Sequence, residues 1–208
     1  MNKKFLDLGY QPLANNYLRK FKKKQIKYIL KIFFNTKTKI VSISKRIPSE
    51  KMFTNNYPYR SSMSKTMQNS FYKLSVEIKK KFKPKKILEI GSNDGALIKN
   101  FHKDQAIGVE PCRNLAQITK KIGYFTYNNY WTQDLAKKIK LKEKKIDLIY
   151  SANTLSHISN LNEVFKSISL LLAAKGVLIV EDPSLLECLK KNSYDQFYNE
   201  HIYLFSTI

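Results

Sequence analysis

After Pro84, short apolar runs alternate with stretches of helical period: KILEIG, ALIKNFH, AIGVE, RNLAQITKKI, YFTY, DLAKKIK, IDLIYSA, NEVFKSISLLLAA and GVLIVE. No other feature narrows the fold as far. Each apolar run is too short for a buried helix and is rich in Ile, Val and Leu, the composition of parallel strands covered on both faces. Strands that alternate with helices in this way form a doubly wound, mostly parallel α/β sheet, and such sheets bind ligands at the carboxyl ends of their strands. Ahead of the sheet, Met67, Phe71, Leu74 and Ile78 recur at helical spacing between Ser64 and Lys81, which predicts a helix leading into the main domain. Residues 1–63 read as a small, irregular N-terminal module with two β-like runs, ILKIFF and KIVSIS, and residues 64–208 as the main domain.

A chain of 208 residues, 43% of them apolar, can bury one α/β core and a smaller appendage. It holds no apolar run of about 18 residues, as a membrane span requires, and its start, MNKKFLDLGYQP, lacks the apolar core of a signal peptide. A cytoplasmic protein is expected. Cys112 and Cys188 are too few and too far apart for a disulfide framework or a cysteine-based metal site. The net charge of +22 raises nucleic-acid binding. Against it, the arginines are Arg19, Arg46, Arg60 and Arg113 alone, and the lysines are spread through segments such as KFKPKK and KIKLKEKK. Solvated lysine faces suit that spread better than a surface built to read bases or phosphates, and they still steer an anionic substrate such as a nucleotide sugar.

The first strand of the sheet runs into the turn E-I-G-S-N-D-G, Glu89 to Gly95, which is expected to open a helix. Gly91 permits the tight turn, and Gly95 lets the helix start close to the strand. The spacing is not that of a dinucleotide loop, because Asn93 stands where the central glycine must let backbone approach a pyrophosphate. A loop carrying Asn93 and Asp94 suits a charged amino acid joined to a nucleoside. The second strand ends in Glu110, followed by Pro111, and a carboxylate at that place accepts hydrogen bonds from the hydroxyls of a ribose. The fourth strand enters S-A-N-T-L-S-H-I, which puts Asn153, Thr154 and His157 at the carboxyl edge of the sheet.

Together these features resemble the class I methyltransferases, Rossmann-like proteins that use S-adenosylmethionine. A narrower resemblance is carried by FLDLGYQPLANNYL, NYPYRSS, EIGSNDG, GVEPCRN, SANTLSHISNLNEV and FYNEHIYLFS, which are similar, in the same order, to the deoxysugar C-methyltransferases. That family methylates carbon three of nucleotide-linked 4-keto sugars. The resemblance implies a base that removes the proton beside the ketone, and His201 of the Tyr198-Asn199-Glu200-His201 block is placed in that role. Glu200 is implied to orient the ring or support its protonated form, Tyr198 to donate to the developing oxyanion, and Tyr59 to face the substrate. Family members carry paired cysteines of a zinc module around the first block. Here Asn35 and Thr38 stand in place of such a pair and no cysteine precedes Cys112, so no zinc is expected. The family also continues past the EH block into a second α/β domain, whereas this sequence stops at Ile208. A truncated copy that binds the cofactor without turning over, or that partners a complete enzyme, is therefore the alternative. An RNA methyltransferase is favoured by charge alone, without an N-P-P-Y-type loop or an aromatic platform.

Overall fold

The computed structural model describes residues 1–18, 20 and 24–206. In chain order they form β1 (Asn2–Pro12), β2 (Lys27–Asn35), β3 (Val41–Ile43), α1 (Ser49–Met52), α2 (Lys65–Phe82), β4 (Ile87–Ile90), β5 (Ala106–Val109), α3 (Arg113–Lys121), β6 (Phe125–Tyr127), α4 (Gln133–Glu143), β7 (Ile146–Ala152), α5 (Leu161–Leu171), β8 (Leu172–Glu181), α6 (Leu185–Lys190) and β9 (Tyr203–Leu204). The chain divides into two compact units, one of Met1–Met52, Asn153–Ser159 and Glu181–Ile208, the other of Phe53–Ala152 and Asn160–Val180.

The larger unit holds the expected α/β sheet, in the order β6-β5-β4-β7-β8. β4 pairs in parallel with β5 and β7, and β5 with β6. Every residue of β4 and β5 is buried, Glu89 of β4 included, as in a parallel sheet covered on both faces. The predicted leading helix is α2. Ser64 caps it by accepting the Met67 N–H at 3.2 Å, and Lys83 ends it in a left-handed conformation just before Pro84. Its Phe71 and Ile78 pack on Ile87, Ala106, Leu148 and Tyr150 of the sheet. Fully burying side chains of this size contributes about 1.5–3 kcal/mol each. Asn160 caps α5 through the Glu163 N–H at 3.2 Å.

One expected helix is absent: ALIKNFH is a succession of turns ending in a 3-10 turn at Ile98–Asn100. The Asn100 amide donates to the carbonyls of Ala96 and Leu97, competing with backbone bonds of a helix.

The smaller unit is built on an antiparallel sheet, β1-β2-β3-β9. Leu30, Ile32, Val41, Ile43, Ile202 and Leu204 are buried in it. The sequence places a single division at residue 63. In the structure the first segment of this unit ends at Met52, and residues 153–159 and 181–208 return to it. Pairing explains the return, since Val41 and Ser42 of β3 lie opposite Leu204 and Tyr203 of β9. Among the described residues no helix is long and apolar enough to cross a membrane. None of their His, Cys, Asp and Glu side chains form a group of three or more able to hold a metal ion.

Candidate active site

In the larger unit, β4 ends in a turn whose backbone conformations explain its residues. Gly91 has φ 74° and Gly95 φ 81°. A Cβ on Gly95 would lie 3.1 Å from Cγ2 of Thr119 on α3, so the absent side chain lets the turn lie against that helix. Asn93, at the position of the missing glycine, also takes a positive φ, 49°, which asparagine tolerates better than most residues.

Glu110 follows β5 directly, at the carboxyl end of the sheet, and is buried. Its Oε2 accepts the Asn93 N–H and its Oε1 the Cys112 N–H, both at 2.8 Å. Burial pushes the Glu110 carboxyl up, and these two N–H groups oppose the rise. The Asn128 amide donates to the carbonyls of Glu110 and Pro111 at 2.9 and 2.8 Å, which holds the strand end in place.

The side chains of Asn93 and Asp94 are engaged by the protein itself. Asn93 Oδ1 accepts the Ser61 N–H at 3.0 Å, and its amide donates to the Tyr59 carbonyl at 3.3 Å. Asp94 accepts the backbone N–H and the hydroxyl of Ser62. The YRSS segment is thus pinned to the GSNDG turn. Tyr59, 47% exposed, is anchored there by its backbone.

The cofactor has fitting partners in this turn. Glu89 Oε2 and Ser92 Oγ are buried without a hydrogen-bond partner among the described residues, and Glu110 presents an acidic strand end. Glu110 would take the ribose hydroxyls, and the backbone at Gly91 would lie along the ligand.

The second cluster lies in the smaller unit. His201 is 4% exposed, and both ring nitrogens have partners: Nδ1 lies 2.9 Å from the Gln196 carbonyl, Nε2 2.9 Å from the Tyr198 hydroxyl. A carbonyl can only accept, so Nδ1 carries the proton and Nε2 accepts from Tyr198. Burial holds the His201 imidazole down to about 4, against the Gln196 bond that raises it, so the ring is neutral at neutral pH.

Glu200 is buried too, but its carboxylate accepts from the Asn15 amide at 3.2 and 3.1 Å. The His201 ring is held by the Gln196 carbonyl and the Tyr198 hydroxyl.

Asn153, Thr154 and His157 belong to this smaller unit and not to that of the GSNDG turn. The His157 ring stands 5.0 Å from that of His201, and burial, then the charge of His201, lower it to about 3. Asn153, at φ 47°, donates its N–H to the Glu181 carbonyl at 2.6 Å, and Thr154 precedes the 3-10 turn that carries His157.

Sequence reasoning missed Asp182, whose Oδ1 accepts the Ser156 N–H at 3.3 Å and whose carboxyl is pushed up by burial. A signal was present. Asp182-Pro183 follows an apolar strand just as Glu110-Pro111 does.

A parallel sheet with a glycine turn after β4 and an acidic residue after β5 defines a nucleoside-binding α/β domain of the class that uses S-adenosylmethionine. The family model described as "Methyltransferase domain" matches residues 59–207, and the chain belongs to that family. The chain is 34% identical over 122 residues to the C-methyltransferase NovU of Streptomyces niveus, a match that spans 58% of this chain and 29% of that protein. Its fold is similar to that of a SAM-dependent methyltransferase from Archaeoglobus fulgidus (TM-score 0.51, 14% identity, 63% of this chain and 61% of that one). It is also similar to the plantazolicin methyltransferase BpumL in complex with SAH (TM-score 0.50, 14% identity, 72% and 58%). The expected class, fold and cofactor therefore hold: a Rossmann-like methyltransferase domain that uses S-adenosylmethionine.

Proposed function

We propose that the chain is a C-methyltransferase of deoxysugar biosynthesis, acting in the cytoplasm at the carbon beside the ketone of a nucleotide-linked 4-keto-deoxysugar. The observation that carries this reading is the Tyr198–His201 pair, a buried neutral imidazole held at both nitrogens. When bound, S-adenosylmethionine supplies an electrophilic methyl group. His201 Nε2 takes the proton from the carbon next to the ketone, and the Tyr198 hydroxyl, released from that nitrogen, donates to the oxygen on which charge develops. In this reading Asn153, Thr154 and His157 are assigned to cofactor binding, with the His157 ring against that of His201, and Tyr59 is assigned to face the sugar. Similarity to NovU supports carbon as the methyl acceptor. The ligands of this reading are the methyl donor and a nucleotide-linked sugar, with no nucleic acid, membrane or metal.

The test is transfer of labelled methyl to a nucleotide-linked 4-keto-6-deoxysugar, with solvent deuterium exchange at the neighbouring carbon followed in parallel. His201→Asn should lower both rates by about 10²–10⁴-fold while cofactor affinity stays unchanged. Because burial holds His201 at about 4, the acid limb of the wild-type rate should fall near that pH and not near the ordinary imidazole value of 6.5. Exchange without transfer supports the base and points to a chain that positions the sugar poorly. If the wild type binds cofactor yet shows neither exchange nor transfer, it is a silent cofactor-binding protein.

A further inference from the structure

We propose that Arg46 is a positioning residue: its guanidinium fastens the segment after His157 to the segment after His201 and so holds the two imidazole rings against each other. The proposal rests on the reading of His201 as the base, but the clamp on the ring pair shows itself without any substrate. The clamp is a closed circuit of contacts within the smaller unit. Arg46 Nη1 donates to the Ser159 carbonyl at 3.1 Å and Nη2 to the Tyr203 hydroxyl at 2.7 Å, and that hydroxyl donates to the same carbonyl at 2.7 Å. The guanidinium carbon also lies 5.4 Å from the centre of the Tyr203 ring. Ser159 follows His157 closely in the chain, and Tyr203 follows His201, so each arm of the fork ends on a segment that carries one of the two rings. The rings stand 5.0 Å apart.

The two segments differ in how they are held. β9 is fixed by backbone, since Ser42 of β3 lies opposite Tyr203 and the Ile43 N–H donates to the Ile202 carbonyl at 3.0 Å. The His157 segment is a single 3-10 turn, whose Ser156 N–H reaches Asp182 Oδ1 at 3.3 Å. Arg46, just past the end of β3, therefore ties the less anchored segment to the better anchored one. Both its acceptors are neutral oxygens, so what it supplies is spacing, through a planar fork that a lysine lacks. The titratable and charged groups around the rings are Tyr198 on His201 Nε2, Asp182 through Ser156, Glu200, which accepts from Asn15, and Arg46 itself. Burial holds His201 down to about 4. If the clamp opens, the His157 turn moves off, water reaches the ring pair, and the His201 imidazole rises toward its ordinary value of 6.5.

The chain has three histidines, and the exposed His102 is an internal reference for an imidazole NMR titration from about pH 8 to about pH 5. In the wild type the His201 resonances should hold nearly constant over that range, and a nuclear Overhauser contact should join the two buried rings. Arg46→Gln should raise the His201 midpoint by about one pH unit or more and weaken the ring contact. Tyr203→Phe, which keeps the ring and loses the hydroxyl, should do the same, and it decides the matter should Arg46→Gln fold poorly. Arg46→Lys keeps the charge without the fork and should resemble Arg46→Gln. The Arg46→Gln, Tyr203→Phe double variant should add little to either single change, because both open one clamp. Gly9→Ala, which strains the same unit in β1, should leave the spectra unchanged. In the transfer assay the clamp variants should slow exchange and methyl transfer by about 10–10²-fold at unchanged cofactor affinity. An unmoved His201 midpoint and ring contact in the clamp variants, full rescue by Arg46→Lys, or equal changes in Gly9→Ala overturns the proposal. A wild type that shows neither exchange nor transfer removes the sugar reading alone, since the spectra still decide the clamp.

Discussion

The carboxylate of Glu110 accepts the backbone N–H groups of Asn93 and Cys112, so its removal acts on the turn as well as on a ligand. Glu110→Ala leaves two N–H groups without that acceptor and should lower stability by about 1–3 kcal/mol. It should also weaken S-adenosylmethionine at least tenfold, about 1.4 kcal/mol. Glu110→Gln keeps one acceptor oxygen and should fall between wild type and Ala in both urea unfolding and calorimetric affinity. Wild-type affinity in the Ala variant would remove Glu110 from the cofactor site. At this scale much could be read directly, because Glu110 and His201 stand out by residue type and by position after an apolar run or within a motif. The partners could not. Nothing in the sequence reveals that Asn15 binds Glu200, a residue 185 positions away, or that His157 lies against His201.

The elements of the larger unit were legible because each announces itself through local periodicity and caps, as α2 does with Ser64 and Pro84. β1 was not. Asp7, Gly9 and Pro12 are all depleted in strands, and β1 accommodates them with register shifts at Lys4/Leu6 and Asp7/Tyr10. Gly9 and Gly95 separate backbone strain from packing. Gly9 has φ 66° with nothing within 4 Å of an added Cβ, whereas at Gly95 the same atom meets Thr119 and Ile122 at 3.1–3.3 Å. Gly9→Ala should therefore cost about 1 kcal/mol, from backbone strain alone. Gly95→Ala should cost about 2–4 kcal/mol, because overpacking against α3 adds to the strain. Urea unfolding of the two variants checks the order, and equal losses would mean that the turn does not bear on α3.

Across the whole molecule the perturbed groups divide by unit, and the division gives opposite responses to acid. His157 and His201 are buried neutral in the smaller unit, held down to about 3 and about 4. Unfolding lets them take up protons below the ordinary value of 6.5, so that unit loses stability as pH falls toward about 4, by up to about 1.4 kcal/mol per pH unit for each ring. Asp182, raised by burial, offsets part of the loss. In the larger unit Glu89 and Glu110 are raised, so the folded state takes up protons first and gains stability as pH falls toward the ordinary carboxylate value of 4.5. Hydrogen exchange corrected for intrinsic rates, compared at neutral pH and about pH 5, should show β2 and β3 losing protection relative to β4 and β5. A uniform change in both units would contradict this division.

The class of fold, the glycine turn, the acidic strand end and the Tyr-x-Glu-His block were determined by the sequence alone. Each depends on residues close together in the chain, where period, turn chemistry and motif spacing act directly. Tertiary structure alone decided that β9 returns to the N-terminal sheet, that YRSS is tied to Asn93 and Asp94, and that Glu89 is left with a buried oxygen lacking a hydrogen-bond partner among the described residues. Those outcomes depend on pairings between distant segments and on the loss of water around buried charges, and neither has a local signature in the chain.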